Sequence, residues 1–242
     1  MRIFLCLAMV VGSSCYAFTQ TPPASFLELL RAQLLASGLR QSITVNGTAN
    51  WTAGSTQDSG PAKFTAKADG STEIMLGLSK AARAETSTSL SSRSCQWIDS
   101  KGSAHEITGA NCFRPIPWFS PVALPLLLSA PGVVVIDSGE VTDGGALRHQ
   151  LIINPGGTFT GPAAKELGIA MQVTIYYDPT TLLPSSLEYS LHPDSNDGSS
   201  IPVRVKFSDY RVVSGLPVPF RIERSINRTL ELTVSADSVV LN

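Results

Sequence analysis

Charge of either sign is scarce in this chain, and so are histidine and cysteine. Charged residues make up 15% of the 242, and the formal net charge is −1. There is no basic stripe or tail, which excludes the electrostatic footprint of a nucleic-acid-binding protein. The histidines, His105, His149 and His192, stand far apart and at no metal-ligand spacing, so no local metal motif exists. The sequence holds no G-x-S-x-G elbow, P-loop, H-E-x-x-H or dinucleotide fingerprint. Past the N-terminus no apolar run is long enough to span a bilayer, and no repeat of fixed period appears.

The N-terminus reads as a secretory signal. Met1-Arg2 is a short positive region, Ile3 to Gly12 is an apolar core, and Cys15-Tyr16-Ala17 offers the small or neutral residues that signal peptidase accepts. The pattern predicts export, cleavage after Ala17, and a mature chain opening at Phe18. Lipid attachment at Cys15 is the competing reading, but Gly12 stands where that signal wants an aliphatic residue. Removing the leader takes Arg2 with it, leaving 17 basic against 19 acidic residues, a net charge of −2. Cys6 and Cys15 lie in the leader, so the mature chain keeps Cys95 and Cys112. Two cysteines in an exported chain read as one disulfide, expected to stabilise by about 3 kcal/mol through chain entropy. Residues 18–24 are a lead-in, and 25–242 are expected to form a single domain.

What is abundant is alternation. Ser25-Phe26-Leu27-Glu28 is a capping box, and Phe26, Leu29, Leu30 and Leu34 share one face of a helix expected over 25–37. Strands are expected from Ser42 to Thr52, with Gly54 to Gly60 as a polar loop. Ala62–Ala68 and Thr72–Leu78 flank the Asp69-Gly70 hairpin signal. Ser87 to Ser94 is expected as an exposed strand, and Trp97-Ile98 pairs with His105 to Ile107. Val133–Ser138 and Ala146–Ile153 flank Asp143-Gly144-Gly145. After a helical turn at Ala163–Leu167 come alternating runs ending at Tyr177 and Leu191. The chain closes on a three-strand meander, Val203–Tyr210, Val218–Glu223 and Thr229–Ala236, with a continuous apolar face. Only residues 111–131 break the pattern. They are apolar and proline-rich, and a short helix is expected after Ser120.

An exported chain with an amphipathic first helix, a long antiparallel meander and an apolar insertion midway resembles the LolA/LolB-like lipoprotein-carrier superfamily of the bacterial periplasm. Tyr177-Asp178-Pro179-Thr180-Thr181-Leu182-Leu183-Pro184 looks like that fold's turn between two late strands. Phe207-Ser208-Asp209-Tyr210-Arg211 with Gly215-Leu216-Pro217-Val218-Pro219-Phe220 looks like its late hairpin. The resemblance covers residues 25–242. It implies a mainly antiparallel β fold (α+β): a curved, incomplete β-barrel, or half-barrel, closed by the N-terminal helix and the helical insertion.

In such a fold Trp118, Phe119, Leu124, Leu127 and Leu128 face the concave side, above Phe207, Phe220, Leu230 and Leu232. These nine residues are the candidate ligand-binding set. Alternation puts Leu230 and Leu232 on one face with Val234, and Glu231 and Thr233 on the other. Two readings stay open. The insertion is a movable cover over an apolar pocket, or it is a plug in a solid core. The first predicts a non-enzymatic, periplasmic or secreted protein that binds a lipid or other hydrophobic molecule, a lipoprotein acyl chain among them, with no cofactor and only transient membrane contact. The second predicts an envelope structural or protein-interaction module. A hydrolase is the third reading, since a serine, histidine and acid brought together by the fold leave no mark in chain order.

Overall fold

Helix α1 (Phe26–Ala36) begins where the capping box places it. The Ser25 backbone N–H donates to Glu28 Oε2 at 2.8 Å, and the Glu28 N–H donates to Ser25 Oγ at 3.3 Å. The computed structural model describes residues 25–36, 42–89, 92–107, 109–112, 118–119, 133–154, 164–193 and 199–242. Leu30 of α1 is buried in the core, with Phe26 and Leu27 packed beside it. Leu29, expected on that face, is 47% exposed: the helix rests on the sheet along a narrower stripe than its apolar residues allow.

All strands form one antiparallel sheet. The first six are β1 (Ser42–Ala53), β2 (Thr56–Lys67), β3 (Thr72–Leu76), β4 (Arg83–Ser87), β5 (Cys95–Ile98) and β6 (Ala104–Glu106). The other seven are β7 (Val134–Asp143), β8 (Ala146–Asn154), β9 (Val173–Tyr177), β10 (Pro184–Leu191), β11 (Ile201–Val213), β12 (Leu216–Ile226) and β13 (Thr229–Leu241). Their order is β6-β5-β4-β3-β2-β1-β13-β12-β11-β10-β9-β8-β7. The sheet is thus two meanders, β1–β6 and β7–β13, joined where the first strand pairs with the last. At that seam Gly47 comes so close to β13 that a Cβ would meet the Ser235 carbonyl oxygen at 2.1 Å, which only glycine avoids.

Two expected segments shift. Residues 56–60, expected as loop, continue β2 opposite Ala49–Ala53; a two-residue turn at Gly54-Ser55 suffices, and the strand end is polar because it is mostly exposed. The strand expected over Ser87–Ser94 lies earlier, at Arg83–Ser87. Past it, Ser94 N–H donates to Thr88 Oγ1 at 2.8 Å. The expected helix after Ser120 lies outside the described residues. Helix α2 (Gly109–Cys112) precedes that segment, and α3 (Ala164–Ala170) links β8 to β9.

The sheet is rolled, and α2 shows how far. Cys112 of α2 is disulfide-bonded to Cys95 of β5, with Cα atoms 5.5 Å apart. Its neighbour Asn111 clasps the backbone of His192, just past β10, accepting from His192 N–H at 3.0 Å and donating to His192 O at 2.6 Å. In the strand order β5 and β10 are eight steps apart. On a flat sheet that is about 38 Å, at ~4.8 Å per strand. A four-residue helix is about 6 Å long, so the two strands approach one another across the inside of the roll.

The inner face carries one continuous apolar core, from Ile43, Phe64 and Ile74 through Leu232, Ile222 and Val205 to Ile175 and Leu151. Strands β6 and β7 are consecutive in the chain but occupy opposite edges. Residues 107–133 therefore connect one edge to the other. Trp118 and Phe119, within that connection, are buried in the core.

Candidate ligand-binding cavity

Trp118 and Phe119 sit on Phe64 of β2. Their rings lie 5.5 and 5.2 Å from the Phe64 ring, and 5.7 Å from each other at nearly a right angle, an edge-to-face cluster of the favoured kind. Beside it, inside the roll, is a cavity of about 310 Å³, at the small end of the range for ligand pockets. One wall is β3–β6 with the disulfide, the other is β10, β12 and β13, and Trp118 and Phe119 close the apolar side.

The far side is charged, for reasons visible in the register. Ile74 pairs with Glu85 and Leu76 with Arg83, and antiparallel partners share a face. The inward positions of β4 are therefore Arg83 and Glu85, bonded to each other at 2.5 Å. Next along, Glu85 pairs with Trp97 and Trp97 with His105. The Arg83 guanidinium lies 4.3 Å from the Trp97 ring centre, and His105 stacks on Trp97 at 4.3 Å. His105 Nε2 reaches Asp99 at 3.2 Å.

The opposite wall supplies a second ion pair. On β12, Arg224 follows Phe220 and Ile222 in strict alternation and so points inward with them. On β13 the register shifts between the partners of Arg224 and Ser225, which pair with Leu232 and Leu230. Glu231 is the extra residue of a β-bulge, and it turns to Arg224. Arg224 Nε donates to Glu231 Oε2 at 2.9 Å, and Trp51 Nε1 donates to Glu231 Oε1 at 3.3 Å. The side chains of Arg224 and Glu231 are only 17% and 21% exposed. The Arg224 guanidinium also lies 4.6 Å from the Trp118 ring centre, a cation–π contact. Burial works against its charge, but Glu231, Tyr189 and Glu85 more than offset that and hold Arg224 charged above the ordinary arginine range.

The bulge corrects one expectation. Leu230 does not share the inner face with Leu232; it is 46% exposed, while Leu232 is buried. Phe207 and Leu232 are in the core. Phe220 is buried but stands outside the continuous core, with the Arg211 guanidinium 4.3 Å from its ring centre. Leu124, Leu127 and Leu128 lie outside the described residues. Of the nine candidate residues, the structure brings Trp118 and Phe119 to the cavity. Sequence reasoning missed Arg83, Glu85, Trp97, Arg224 and Glu231. The signal that finds Arg224 is a charged residue in phase with buried Phe220 and Ile222; for Glu231 no such signal exists.

The remaining chemistry is sparse. His149 is on the inner face at the other end of the sheet, opposite Tyr177, stacked under Phe26 at 3.7 Å and bonded to Asp137 at 2.6 Å. His192 bonds two backbone carbonyls. Among the described residues, neither His105 nor His149 is bonded to a serine hydroxyl. Among the described residues no group of three His, Cys, Asp or Glu is placed to hold a metal ion. A wider depression of about 950 Å³ lies around Arg204. Arg204 and Glu188 alternate with buried Val203, Val205, Leu187 and Tyr189, so this depression is on the outer face. There Arg204 bonds Glu188, Ser186 and Asp143 and fastens the tip of the β7–β8 hairpin.

The rolled single sheet with helix α1 inside matches known folds. A domain from Vibrio parahaemolyticus assigned to the outer membrane lipoprotein-sorting proteins superposes with a TM-score of 0.56 at 6% identity, over 88% of this chain and 91% of that one. A LolA superfamily protein from Nitrosomonas europaea gives 0.55 at 11% identity, over 90% and 94%. A DUF1329 family protein from Desulfovibrio piger gives 0.55 at 10%, over 88% and 90%. This chain has the fold of the LolA superfamily. No family model matches the sequence, and no curated protein does. In LolA-fold terms, the cavity lies inside the open half-barrel, with its charged wall built from the β4–β6 edge.

Proposed function

We propose that this is an exported, non-enzymatic protein that binds a lipid or other hydrophobic molecule inside its half-barrel, in the periplasm or outside the cell. The observation that carries this reading is the cavity beside Trp118 and Phe119, enclosed by two walls of one rolled sheet. The lipoprotein-sorting assignment of the Vibrio domain supports it, and the Cys95–Cys112 disulfide supports an oxidising compartment. Burial of an acyl chain would supply the driving force, about 0.8 kcal/mol per CH₂.

One observation favours the solid-core reading instead: Trp118 and Phe119 already pack against Phe64. A titration with the uncharged fluorescent probe N-phenyl-1-naphthylamine separates the two, together with mass spectrometry of an organic extract of the exported protein. Saturable probe fluorescence, displaced by lipid, is the result expected of a carrier. No enhancement and no extractable lipid would assign the fold to a structural or protein-interaction role.

A further inference from the structure

The charged wall of the cavity is balanced. Among the described residues lining it, Arg83, Arg93 and Arg224 stand against Glu85, Glu106 and Glu231. Arg83 is spent on Glu85, and Arg93 on the carbonyl oxygens of Gly70, Thr88 and Cys112. Arg224 uses only Nε, toward Glu231, and its two terminal nitrogens carry no hydrogen bond among the described residues. Each Glu231 oxygen accepts one bond and has room for a second. Thr72 and Ser87 add a hydroxyl pair bonded at 2.6 Å on the same wall.

An ion entering this space would lose its water and find the inner charges, Arg224 with Glu231 and Arg83 with Glu85, already paired, which is costly; Glu106, on the exposed β6 edge of the lining, has no partner among the described residues. A hydroxyl finds both of its partners, since it accepts from a guanidinium and donates to a carboxylate. We propose that the cavity receives the uncharged, hydroxyl-bearing head of an amphiphile, a glycerol or a sugar, and rejects anionic and cationic heads. The head bridges Arg224 and Glu231, and the apolar chain leaves along Trp118 and Phe119. This rests on the carrier reading and names the ligand class for that same site.

The test uses four twelve-carbon ligands below their micelle concentrations at pH 8: monododecanoylglycerol, dodecyl glucoside, dodecanoate and dodecyltrimethylammonium. Binding is read by displacement of the naphthylamine probe. The expected result is at least tenfold tighter binding of one or both uncharged ligands than of either ion; which of the two binds tells glycerol from sugar. Glu231→Gln, which unbalances the wall by one positive charge, should raise dodecanoate affinity, and Arg224→Met should raise that of the cation. A purely structural ion pair would not produce opposite shifts. Dodecanoate binding tightest, or all four binding equally, would overturn the headgroup assignment and leave the carrier reading standing. Binding of none would remove both. The parent protein's four-ligand series decides by itself if either variant fails to fold.

Discussion

The inner face of the sheet has an apolar region and a charged one. Strands β8–β12 are buried inward by Leu151, Ile153, Val173, Ile175, Tyr177, Leu187, Val203, Val205 and Ile222, the ordinary wall of a hydrophobic core. The β4–β6 end of the other meander offers Arg83, Glu85, Trp97 and His105 in the equivalent positions. A short edge with inward charges is a known device against edge-to-edge association. Here the charges face across the roll to Arg224 and Glu231, so they also line a cavity. The apolar region holds the fold together, and the charged region, Arg224 and Glu231 included, lines the cavity.

The contrast can be broken from the apolar side first. Phe64 is fully buried beneath Trp118 and Phe119, so Phe64→Ala should cost about 3–5 kcal/mol in a urea titration, the largest effect expected of a single change. Next comes the tie between the crossing connection and the charged edge. Replacing Cys95 and Cys112 together with alanine should cost about 3 kcal/mol, and reducing the parent protein should reproduce the loss.

In the charged region, where Arg224 and Glu231 face the β4–β6 edge, the effects are smaller. Glu231→Ala leaves Arg224 and the Trp51 indole N–H without their acceptor and should cost about 2 kcal/mol. Paired with Arg224→Met in a double-mutant cycle, the coupling should be measurable, whereas Leu230→Ala one residue away should stay within about 0.5 kcal/mol.

The smallest effect is an acid one. Asp58 sits outside the cavity and takes N–H bonds from Lys80 and Ala81 and a hydroxyl bond from Ser79. The Lys80 backbone bond, against some burial and with help from Ser79, lowers its carboxyl to about 2. A folded value below the unfolded ~3.9 means that its contribution is whole above about pH 4 and is lost as pH falls toward about 2. Asp58→Asn should remove that contribution near neutrality and flatten the stability profile between about pH 4 and about 2.

How far the sequence could be read follows the same division. Where the inner face is apolar, alternation marked the strands, as in β9 to β13, and the capping box at Ser25 and the Cys95–Cys112 bridge were legible from local chemistry. β4 lies several residues earlier than the sequence pattern suggests because its inward side chains are charged and the usual apolar signal is missing. Leu230 turns away from the inner face because one inserted residue at Glu231 reverses the alternation, and a bulge leaves no signature in composition. The cavity itself depends on β5 approaching β10, a consequence of strand order and curl that no local pattern carries.

The most direct test of the carrier reading is the unfolding free energy of the intact protein, measured by circular dichroism as monododecanoylglycerol and, in a second series, dodecyl glucoside are added. A ligand held inside the folded half-barrel and absent from the unfolded chain must raise that free energy. The rise is about 1.4 kcal/mol per tenfold increase in free ligand above the dissociation constant. That slope, with at least one of the two ligands, is the result expected of a carrier. A stability that stays flat with both ligands up to their micelle concentrations, with no displacement of the naphthylamine probe, would contradict it.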